Sequence, residues 1–527
     1  MKRFLVATLS ASMILGLTTT AWAEETSPVL KVMFYTNSLT ENLADTEYIR
    51  NMAEEAGVVL EAEQISSGWD EIKSTLLASG DIPDLIIGKD AIVSSDIAQF
   101  KDLFADMSGM IDEYAPNIQE AFEEHPELEY LATADDGGVY AIPKYQRFWP
   151  DTYLRQMINV QWLENLGLEK PETFDELYEV LLAFKENDAN GNGDPNDEIP
   201  MDFAAGIASH SVYQIPWALC LLCGYGLPVT AITDQGWYLD DGEVKNIYMS
   251  DEYFDLIQFM TKCWDAGLIN TEIFTQDYAT YAATSRNGVV GYTLGWDISD
   301  CMGTGELAEQ YEVIDTILPL EEYADKAVWE TSYYTLNYAS PTAVMSAACE
   351  NKEAAMRFLN LFYDREYAIQ ELFGSLGTCI SDNGDGTYSV LPPADETVDP
   401  GTWKWMNAHA DSGCMYIADD VELTLPTDMQ TLASLDEVYK EEVERVGTDM
   451  WPGAFLKYND VDNSELTFYM TDLLNLFETK FAEWITSGGV DEAGWEEYKE
   501  SAMGAGYEEA RVIVQKAVED YFSYVGK

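Results

Sequence analysis

The sequence predicts an α/β protein built from two lobes. Three short β-prone runs at 30–35, 58–63 and 82–88 alternate with helical segments at 47–56 and 69–78. Strands that alternate with helices at this spacing predict βαβ units and a mainly parallel sheet. The chain has 527 residues, of which 47% are hydrophobic, and this is more than one core usually holds. We therefore expect two α/β lobes, with the chain passing between them more than once.

The first residues have the pattern of a secretory signal peptide, residues 1–23. A basic start at Lys2 and Arg3, an apolar run over 4–17 and an A-x-A site predict cleavage after Ala23. The apolar run is too short to span a bilayer, and no later segment predicts a membrane helix. No cysteine lies near the cleavage site. We expect a secreted, extracytoplasmic protein without a lipid anchor, either in a periplasm or in the medium.

The chain is strongly acidic, with 95 Asp and Glu against 28 Lys and Arg and a net charge of −67. Cleavage would remove Lys2 and Arg3, the only charges in the leader, and change the net charge from −67 to −69. Such a field repels nucleic acid and anionic lipid, and it disfavours a polyanionic ligand unless the cleft is locally basic. A neutral or cationic small molecule is the better match, and we expect a monomer.

Cysteine and histidine show no metal-binding or catalytic pattern. Cys220 and Cys223 form a C-x-x-C among apolar residues without a nearby histidine, which favours buried thiols over zinc. Redox chemistry or a disulfide is the alternative. The three histidines, His125, His210 and His409, are scattered along the chain, so a histidine-based site is not expected.

Beyond residue 143 the pattern is mostly helical. Thr173 and Glu176 form a capping box that predicts a helix start. Further helices are predicted at 251–266, 351–373, 466–486 and 491–524, with a loop at 383–400.

The segment 188–199 begins like a helix-loop calcium motif. Side-chain oxygens alternate at Asp188, Asn190 and Asn192 before Gly193, as in D-x-[DN]-x-[DN]-G. The twelfth position is Ile199, so the usual closing glutamate is missing. The expected ligands of a structural Ca²⁺ are Asp188, Asn190, Asn192, the carbonyl of Asp194, Asp197 and Glu198. The alternative is an ordinary polar turn, and the choice among Asn196, Asp197 and Glu198 stays open.

Several short motifs, taken in order along the chain, resemble one family. They are S-G-D-x-P-D at 79–84, a tyrosine–proline turn at 138–143, W-L-x-x-L-G-L at 162–168, a glycine-containing strand at 288–296 and tryptophan-containing helices at 484–498. The chain resembles the extracellular solute-binding proteins of ABC importers, in the carbohydrate-binding branch of family 1. Its loop at 188–198 is similar to the calcium loop of alginate- and oligosaccharide-binding members. It departs from many relatives in lacking a lipidated cysteine. It also departs at the end of the strand, where the family pattern has one residue between glycine and tryptophan but Gly295 and Trp296 are adjacent.

The resemblance implies a periplasmic-binding-protein fold with a hinge, an interlobe ligand cleft and a helix-rich second lobe. The expected first lobe comprises 24–145 and about 285–345, and the second comprises about 146–284 and 346–527 with the calcium loop. The resemblance also implies a protein without enzymatic activity. It would bind a carbohydrate, expected to be an oligosaccharide, by lobe closure and deliver it to a membrane permease.

A sugar presents apolar C–H faces and a rim of hydroxyls, so its cleft needs aromatic plates and polar groups. Trp296 and Asp297 are candidates because they follow the predicted crossing strand. The other candidates are Tyr145, Arg147, Trp149, Trp217, Trp329 and Trp403. Trp217 is equally explained as a core residue, and Arg147 and Arg155 as partners in salt bridges. Trp403 and Trp405 alternate, so we expect one to face inward and one outward.

Two other functions compete with sugar binding. The same scaffold suits a peptide or a cationic solute, which an acidic pair in the cleft without aromatic plates would indicate. An exported glycoside hydrolase would need two carboxylates about 5 to 9.5 Å apart across the scissile bond. No nucleophile motif supports that alternative. The sugar's identity, length and linkage stay open.

Overall fold

The computed structural model describes residues 27–148, 150–203, 216–230, 235–395, 398, 400–425 and 427–526. The strands are β1 Val29–Tyr35, β2 Val59–Ile65, β3 Leu85–Ile87, β4 Ile142–Tyr145, β5 Arg155–Asn159, β6 Ile199–Asp202, β7 Trp237–Asp240, β8 Glu243–Asn246, β9 Val290–Gly295, β10 Tyr311–Val313, β11 Tyr338–Met345, β12 Ile380–Asp382, β13 Tyr388–Val390 and β14 Leu423–Thr424.

The helices are α1 Glu47–Ala56, α2 Trp69–Ser79, α3 Ser94–Gln99, α4 Ser108–Tyr114, α5 Pro116–Glu124, α6 Pro126–Ala132, α7 Val160–Leu166, α8 Phe174–Glu186, α9 Asp251–Asp265, α10 Tyr278–Arg286, α11 Ile298–Met302, α12 Tyr333–Asn337, α13 Lys352–Leu361, α14 Arg365–Phe373, α15 Pro400–Asn407, α16 Thr427–Asp436, α17 Lys440–Val446, α18 Asp460–Thr486, α19 Glu492–Gly504 and α20 Tyr507–Val525. Within the described residues, no helix is both long and apolar enough to cross a membrane.

The first lobe is built on a five-stranded sheet in the order β2-β1-β3-β11-β4. β1 is parallel to β2 and to β3, whereas β11 is antiparallel to both β3 and β4. The sheet, expected to be mainly parallel, is therefore mixed, with two parallel and two antiparallel pairings. β11 runs in the opposite direction because the chain re-enters this lobe at the end of the sheet where the parallel strands finish. Tyr338, at the start of β11, lies there opposite Tyr145.

The second lobe is built on a four-stranded sheet in the order β10-β5-β9-β6. β6 is parallel to β9, and β5 is antiparallel to both β9 and β10. Arg155 at the start of β5 lies opposite Gly295 at the end of β9. This edge receives the chain from the first lobe, so the two sheets turn the ends of their central strands toward each other.

The lobe boundaries differ from those expected. β9 and β10 belong to the second sheet, although 285–345 was expected in the first lobe. Conversely, side chains of α13 lie in the core of the first lobe, although 346–527 was expected in the second. The reason is that the chain returns to the first lobe only after β10, through α12 and β11.

Local sequence signals are mostly confirmed. The capping box at α8 is present: Thr173 Oγ1 accepts from Glu176 N at 3.3 Å, and Glu176 Oε2 accepts from Thr173 N at 3.1 Å. Two predicted helices are each divided. Asp364 caps a new helix, α14, after α13, and Gly506 adopts a φ of +95° between α19 and α20.

All seven cysteines are buried free thiols, which confirms the expectation for Cys220 and Cys223. These two lie in a 3₁₀ helix, Trp217–Tyr225, inside the core of the second lobe. Burial raises the pKa of both thiols, so they remain protonated and unreactive.

Among the segments that pass between the lobes are 146–148 with 150–154, 330–337, and 422–425 with 427–438. Glu330 joins the first two, because its Oε1 accepts hydrogen bonds from the backbone N–H groups of Tyr153 and Leu154, the latter at 2.7 Å. Its Oε2 accepts from Ser332 Oγ at 2.9 Å. Glu330 is fully buried, and burial raises its pKa from the ordinary 4.5 to about 7.

Glu330→Gln is expected to flatten the pH dependence of stability. Because the folded protein holds the Glu330 proton up to about pH 7, the stability contributed by the protonated form is lost as pH rises from 4.5 through about 7. Glutamine stays neutral and keeps an oxygen acceptor for both N–H groups. The free energy of unfolding of the variant should therefore rise relative to that of the native protein between about pH 5 and about pH 8.

Chemical denaturation across this pH range measures the difference. The exposed Glu306→Gln is the matched control and should run parallel to the native protein. Parallel curves for Glu330→Gln would contradict the assignment of a titrating carboxyl to the hinge.

Candidate functional site

A cleft of about 670 Å³ opens between the lobes, and its lining is mostly apolar. The second lobe contributes Trp296 and Asp297, which follow β9 directly. The first lobe contributes Phe373 at the end of α14 together with Trp403 and Trp405 of α15. The cleft therefore has tryptophans on both walls, with each wall belonging to a different lobe.

Trp296 is held from several directions. Its backbone carbonyl accepts a hydrogen bond of 2.5 Å from Arg155 Nη1, and the same guanidinium lies 5.4 Å from the indole centroid. Tyr153 packs against the indole at 5.4 Å. Arg155 is fully buried and pairs with Asp436, Nη2 to Oδ1, at 2.6 Å. This group fixes both the backbone and the ring of Trp296.

Asp436 extends the contact into the hinge. It also accepts hydrogen bonds from Asp151 N at 2.9 Å and from Thr152 Oγ1 at 2.6 Å. Burial and the neighbouring Asp436 raise the pKa of Asp151 to about 6. Arg155 thus forms a salt bridge, which was the alternative predicted for it. This salt bridge lies directly behind the cleft wall.

The opposite wall carries the sequence Trp403-Lys404-Trp405 on a helix. Alternation predicted that one tryptophan faces in and the other out, but both line the cleft. A helix places residues two apart about 200° around its axis, so both can border a cleft that surrounds part of α15. Lys404 Nζ pairs with Asp411 Oδ2 at 2.7 Å and lies 5.6 Å from the Trp405 ring centroid.

The cleft also contains acidic groups. Asp297 Oδ1 caps α11 by accepting from Asp300 N at 2.8 Å, and it accepts from Ser299 Oγ at 2.6 Å. Glu309 is exposed and lines the same cleft. Sequence reasoning missed Glu309 and Lys404. The position of Lys404 between two tryptophans is the sequence signal that could have identified it.

The other candidates are placed apart from this group. Tyr145 is buried in the first core, and its hydroxyl donates to Asp419 Oδ1 at 2.6 Å. Arg147 is half-buried and donates to the Val421 carbonyl. Trp149, like His210 and the leader, lies outside the described residues.

Two candidate tryptophans lie in the core of the second lobe. Trp329 is fully buried, donates to the Leu154 carbonyl at 2.8 Å and stacks on Tyr439 with ring centroids 4.3 Å apart. Trp217 is 2% exposed and packs edge-on against Tyr281. Both have a packing role here and offer no open face to the cleft.

The loop at 188–198 folds around its own carboxylates. Asp197 accepts from the side-chain amides of Asn190, at 3.0 Å, and Asn192, at 2.7 Å. Asp188 Oδ2 accepts from Gly193 N and Glu198 Oε1 from Ala189 N, both at 2.9 Å.

This donor set suits a hard cation only in part. Asp188 Oδ1 and Glu198 Oε2 are buried oxygens without a hydrogen-bond partner, and burial raises the pKa of Glu198. A cation would satisfy both oxygens. Asn190 and Asn192 point amide nitrogens at Asp197, so they would have to turn to act as ligands. No group of three His, Cys, Asp or Glu side chains in the described part of the chain is arranged around a metal position.

The fold and the cleft agree with known proteins. Residues 37–214 match the family model described as bacterial extracellular solute-binding protein. The chain therefore resembles the bacterial extracellular solute-binding proteins over this segment.

The chain is similar over nearly its whole length to a characterised relative. It is 26% identical over 497 residues to the fructooligosaccharide ABC transporter substrate-binding protein FusA of Streptococcus pneumoniae, covering 90% of this chain and 86% of FusA.

Solved structures extend the likeness. A human-milk-oligosaccharide (HMO) binding solute-binding protein from Bifidobacterium longum infantis has a TM-score of 0.83 and 28% identity, covering 94% of this chain and 99% of that one. A FusA EF-hand mutant in complex with fructo-nystose, from S. pneumoniae, has a TM-score of 0.75 and 24% identity over 94% and 99% of the two chains, which supports the two-lobed fold.

Arg155→Met is expected to lower the free energy of unfolding by about 3 kcal/mol or more, because it leaves Asp436 without its cation. Denaturant titration measures the loss. Lys440→Met is the matched control: it removes an exposed pair with Glu437, at 3.1 Å, and should cost less than about 1 kcal/mol. Equal losses in the two variants would contradict the role given to the buried pair.

Proposed function

We propose that this chain is the extracytoplasmic substrate-binding component of an ABC importer that takes up an oligosaccharide. One observation carries the proposal: Trp296 of one lobe and Trp403 and Trp405 of the other line a single cleft. Aromatic faces match the apolar C–H faces of pyranose and furanose rings. The polar groups beside them, Asp297 and Glu309, offer acceptors to sugar hydroxyls.

Division of the aromatic walls between two lobes makes binding depend on closure. A ligand that contacts both walls stabilises the closed arrangement, and one that contacts a single wall does not. The binding residues we propose are Trp296, Asp297, Trp403 and Trp405. The closed, loaded protein would then deliver its sugar to a membrane permease as a monomer.

The relatives support this ligand class. FusA is named for fructooligosaccharide transport, and the Bifidobacterium protein for binding HMO. Both are named as binding proteins of ABC transporters, and we propose that this chain is likewise a binding protein and not an enzyme. The acidic surface, with a net charge of −67, favours neither nucleic acid nor anionic lipid as a partner.

We also propose that the loop at 188–198 holds a structural Ca²⁺ ion. The support is the pair of buried, unpartnered carboxylate oxygens on Asp188 and Glu198. Asp197 lies between the two asparagines and would complete the shell with their side-chain oxygens. One solved structure of the related FusA is of an EF-hand mutant, and the loop at 188–198 begins like such a motif.

Trp296→Ala is expected to weaken oligosaccharide binding by roughly 1 to 3 kcal/mol, because it removes the stacking face of one wall. Calorimetric titration of the mature protein with neutral oligosaccharides tests both the residue and the proposed function. Trp264→Ala, a half-buried tryptophan on α9 away from the cleft, is the matched control and should bind as the native protein does.

Chromatography of the sugar after long incubation completes this experiment. Recovery of unchanged sugar agrees with a transport protein, whereas hydrolysis products would indicate a glycosidase. Saturable binding of peptides without binding of any sugar would contradict the proposed ligand class.

Calcium is expected to raise the melting temperature relative to a chelator. At metal a hundredfold above its dissociation constant, the gain in unfolding free energy is about 2.7 kcal/mol. Asp188→Ala should abolish the response. Asp194→Ala should retain it, because the proposed ligand there is the backbone carbonyl and the Asp194 side chain instead accepts from Asn196 N at 3.2 Å. Loss of the response in both variants, or in neither, would contradict this arrangement.

A further inference from the structure

Lys89 is one of few cations in the described part of this acidic chain whose side chain has no partner. Among the described Lys and Arg side chains, only Lys31, Arg50 and Lys89 make no ion pair, hydrogen bond or ring contact. Lys31 and Arg50 are exposed, where water satisfies a charge. Lys89 is half-buried, and its ammonium group makes no hydrogen bond or ion pair with the described residues.

Lys89 lies at the edge of the sheet that faces the second lobe. It follows β3 by two residues, and β1 and β4 end at the same edge. Its backbone N–H donates to the Ser412 carbonyl at 2.7 Å. Ligands of open α/β sheets bind outside the carboxyl ends of the strands, so this is where a group of the solute would arrive.

Two further lysines lie close to Lys89. The charges of Lys89 and Lys404 both act on Lys144, whose pKa falls to about 7, mainly through burial. Lys404 itself lines the cleft. Lys89 is therefore within electrostatic reach of the wall that carries Trp403 and Trp405.

Asp411, the half-buried carboxylate next to Ser412 in the chain, is already engaged. Asp411 accepts from Lys404 at Oδ2, from Gln146 at Oδ1 at 3.0 Å, and from Lys144 at its backbone carbonyl at 2.5 Å. Asp90, the next residue along, is exposed and makes no ion pair with Lys89. The internal residues outside the described set contain no Lys or Arg, so no further cation is available from them.

We propose that Lys89 recognises a single carboxylate on the bound oligosaccharide, such as that of one acidic sugar residue. This inference rests on the proposed function. A carboxylate would give Lys89 the charge-assisted hydrogen bond that the protein leaves unmade. More than one acidic residue would not be tolerated, since Asp297 and Glu309 line the remainder of the cleft and would repel further negative charge.

Calorimetric titration with three oligosaccharides of equal length tests the proposal: a neutral one, its analogue with one terminal uronic acid, and a homo-uronate. The native protein should bind the singly acidic sugar about tenfold more tightly than the neutral one, and the homo-uronate more weakly than either. Lys89→Met should abolish the preference and leave the affinity for the neutral sugar unchanged. Lys89→Arg should keep the preference.

Lys31→Met is the matched control, because it removes one unpartnered lysine charge from an exposed position on β1. It should keep the preference, which separates a local contact from an effect of net charge. Equal affinity for the neutral and singly acidic sugars in the native protein, or a preference that survives Lys89→Met, would overturn the proposal while leaving sugar binding intact. If no sugar binds, the proposed function fails instead.

Discussion

The buried pair between Arg155 and Asp436 is the constraint on which the site and the hinge both depend. Arg155 stands where the chain first enters the second sheet, and Asp436 comes from the third crossing segment. The guanidinium also holds the carbonyl and ring of Trp296. One contact therefore fixes the position of the cleft wall relative to two of these crossing segments.

The Arg155–Asp436 pair fixes the geometry of the hinge more than it adds to the net stability of the fold. Desolvation of two charges offsets much of their attraction, so well-packed apolar residues would often stabilise a fold as much. Apolar contacts, however, do not impose the specific geometry that hydrogen bonds and ion pairs require. The guanidinium has to meet Asp436, the Trp296 carbonyl and the Thr152 carbonyl together, and few arrangements of the hinge allow this.

Scarcity of cations shapes the remainder of the hinge. With 28 Lys and Arg for 95 acidic residues, most carboxylates have no cation to pair with. Glu330 is instead satisfied by backbone N–H groups and one hydroxyl, and it stays partly protonated near neutral pH because burial penalises its charge. The same scarcity makes an unpartnered, half-buried lysine such as Lys89 unusual here.

Local features of the fold could be predicted from the sequence, and long-range ones could not. The bounds of α1 and the capping box of α8 follow from signals within a few residues. The direction of β11 and the lobe that holds β9 depend on where the chain crosses between the lobes. Those crossings are fixed by contacts such as Glu330 with Leu154, 176 residues apart, which leave no periodic pattern.

The site was predictable to a similar extent. Trp296 and Asp297 line the cleft as predicted, because a strand end opens on a cleft, although their binding role stays a proposal. The sequence could not distinguish Trp217 and Trp329 from these cleft residues, since a tryptophan packs in a core as readily as it stacks against a sugar. Lys89 was hidden because net charge averages over the surface, and only neighbouring side chains show which lysine lacks a partner.

The two aromatic walls also bear on the length of the ligand. Shifting a two-state hinge from mostly open to mostly closed takes a difference in binding free energy of about 5.5 kcal/mol between the two states. By analogy with the stacking of a nucleobase on an aromatic side chain, one aromatic ring supplies only about 1 to 3 kcal/mol. A monosaccharide on Trp296 alone therefore leaves the hinge largely open. A ligand long enough to reach Trp403 and Trp405 as well adds contacts that exist only in the closed state. Because the walls belong to different lobes, closure itself selects for an oligosaccharide, without any contact that measures chain length directly.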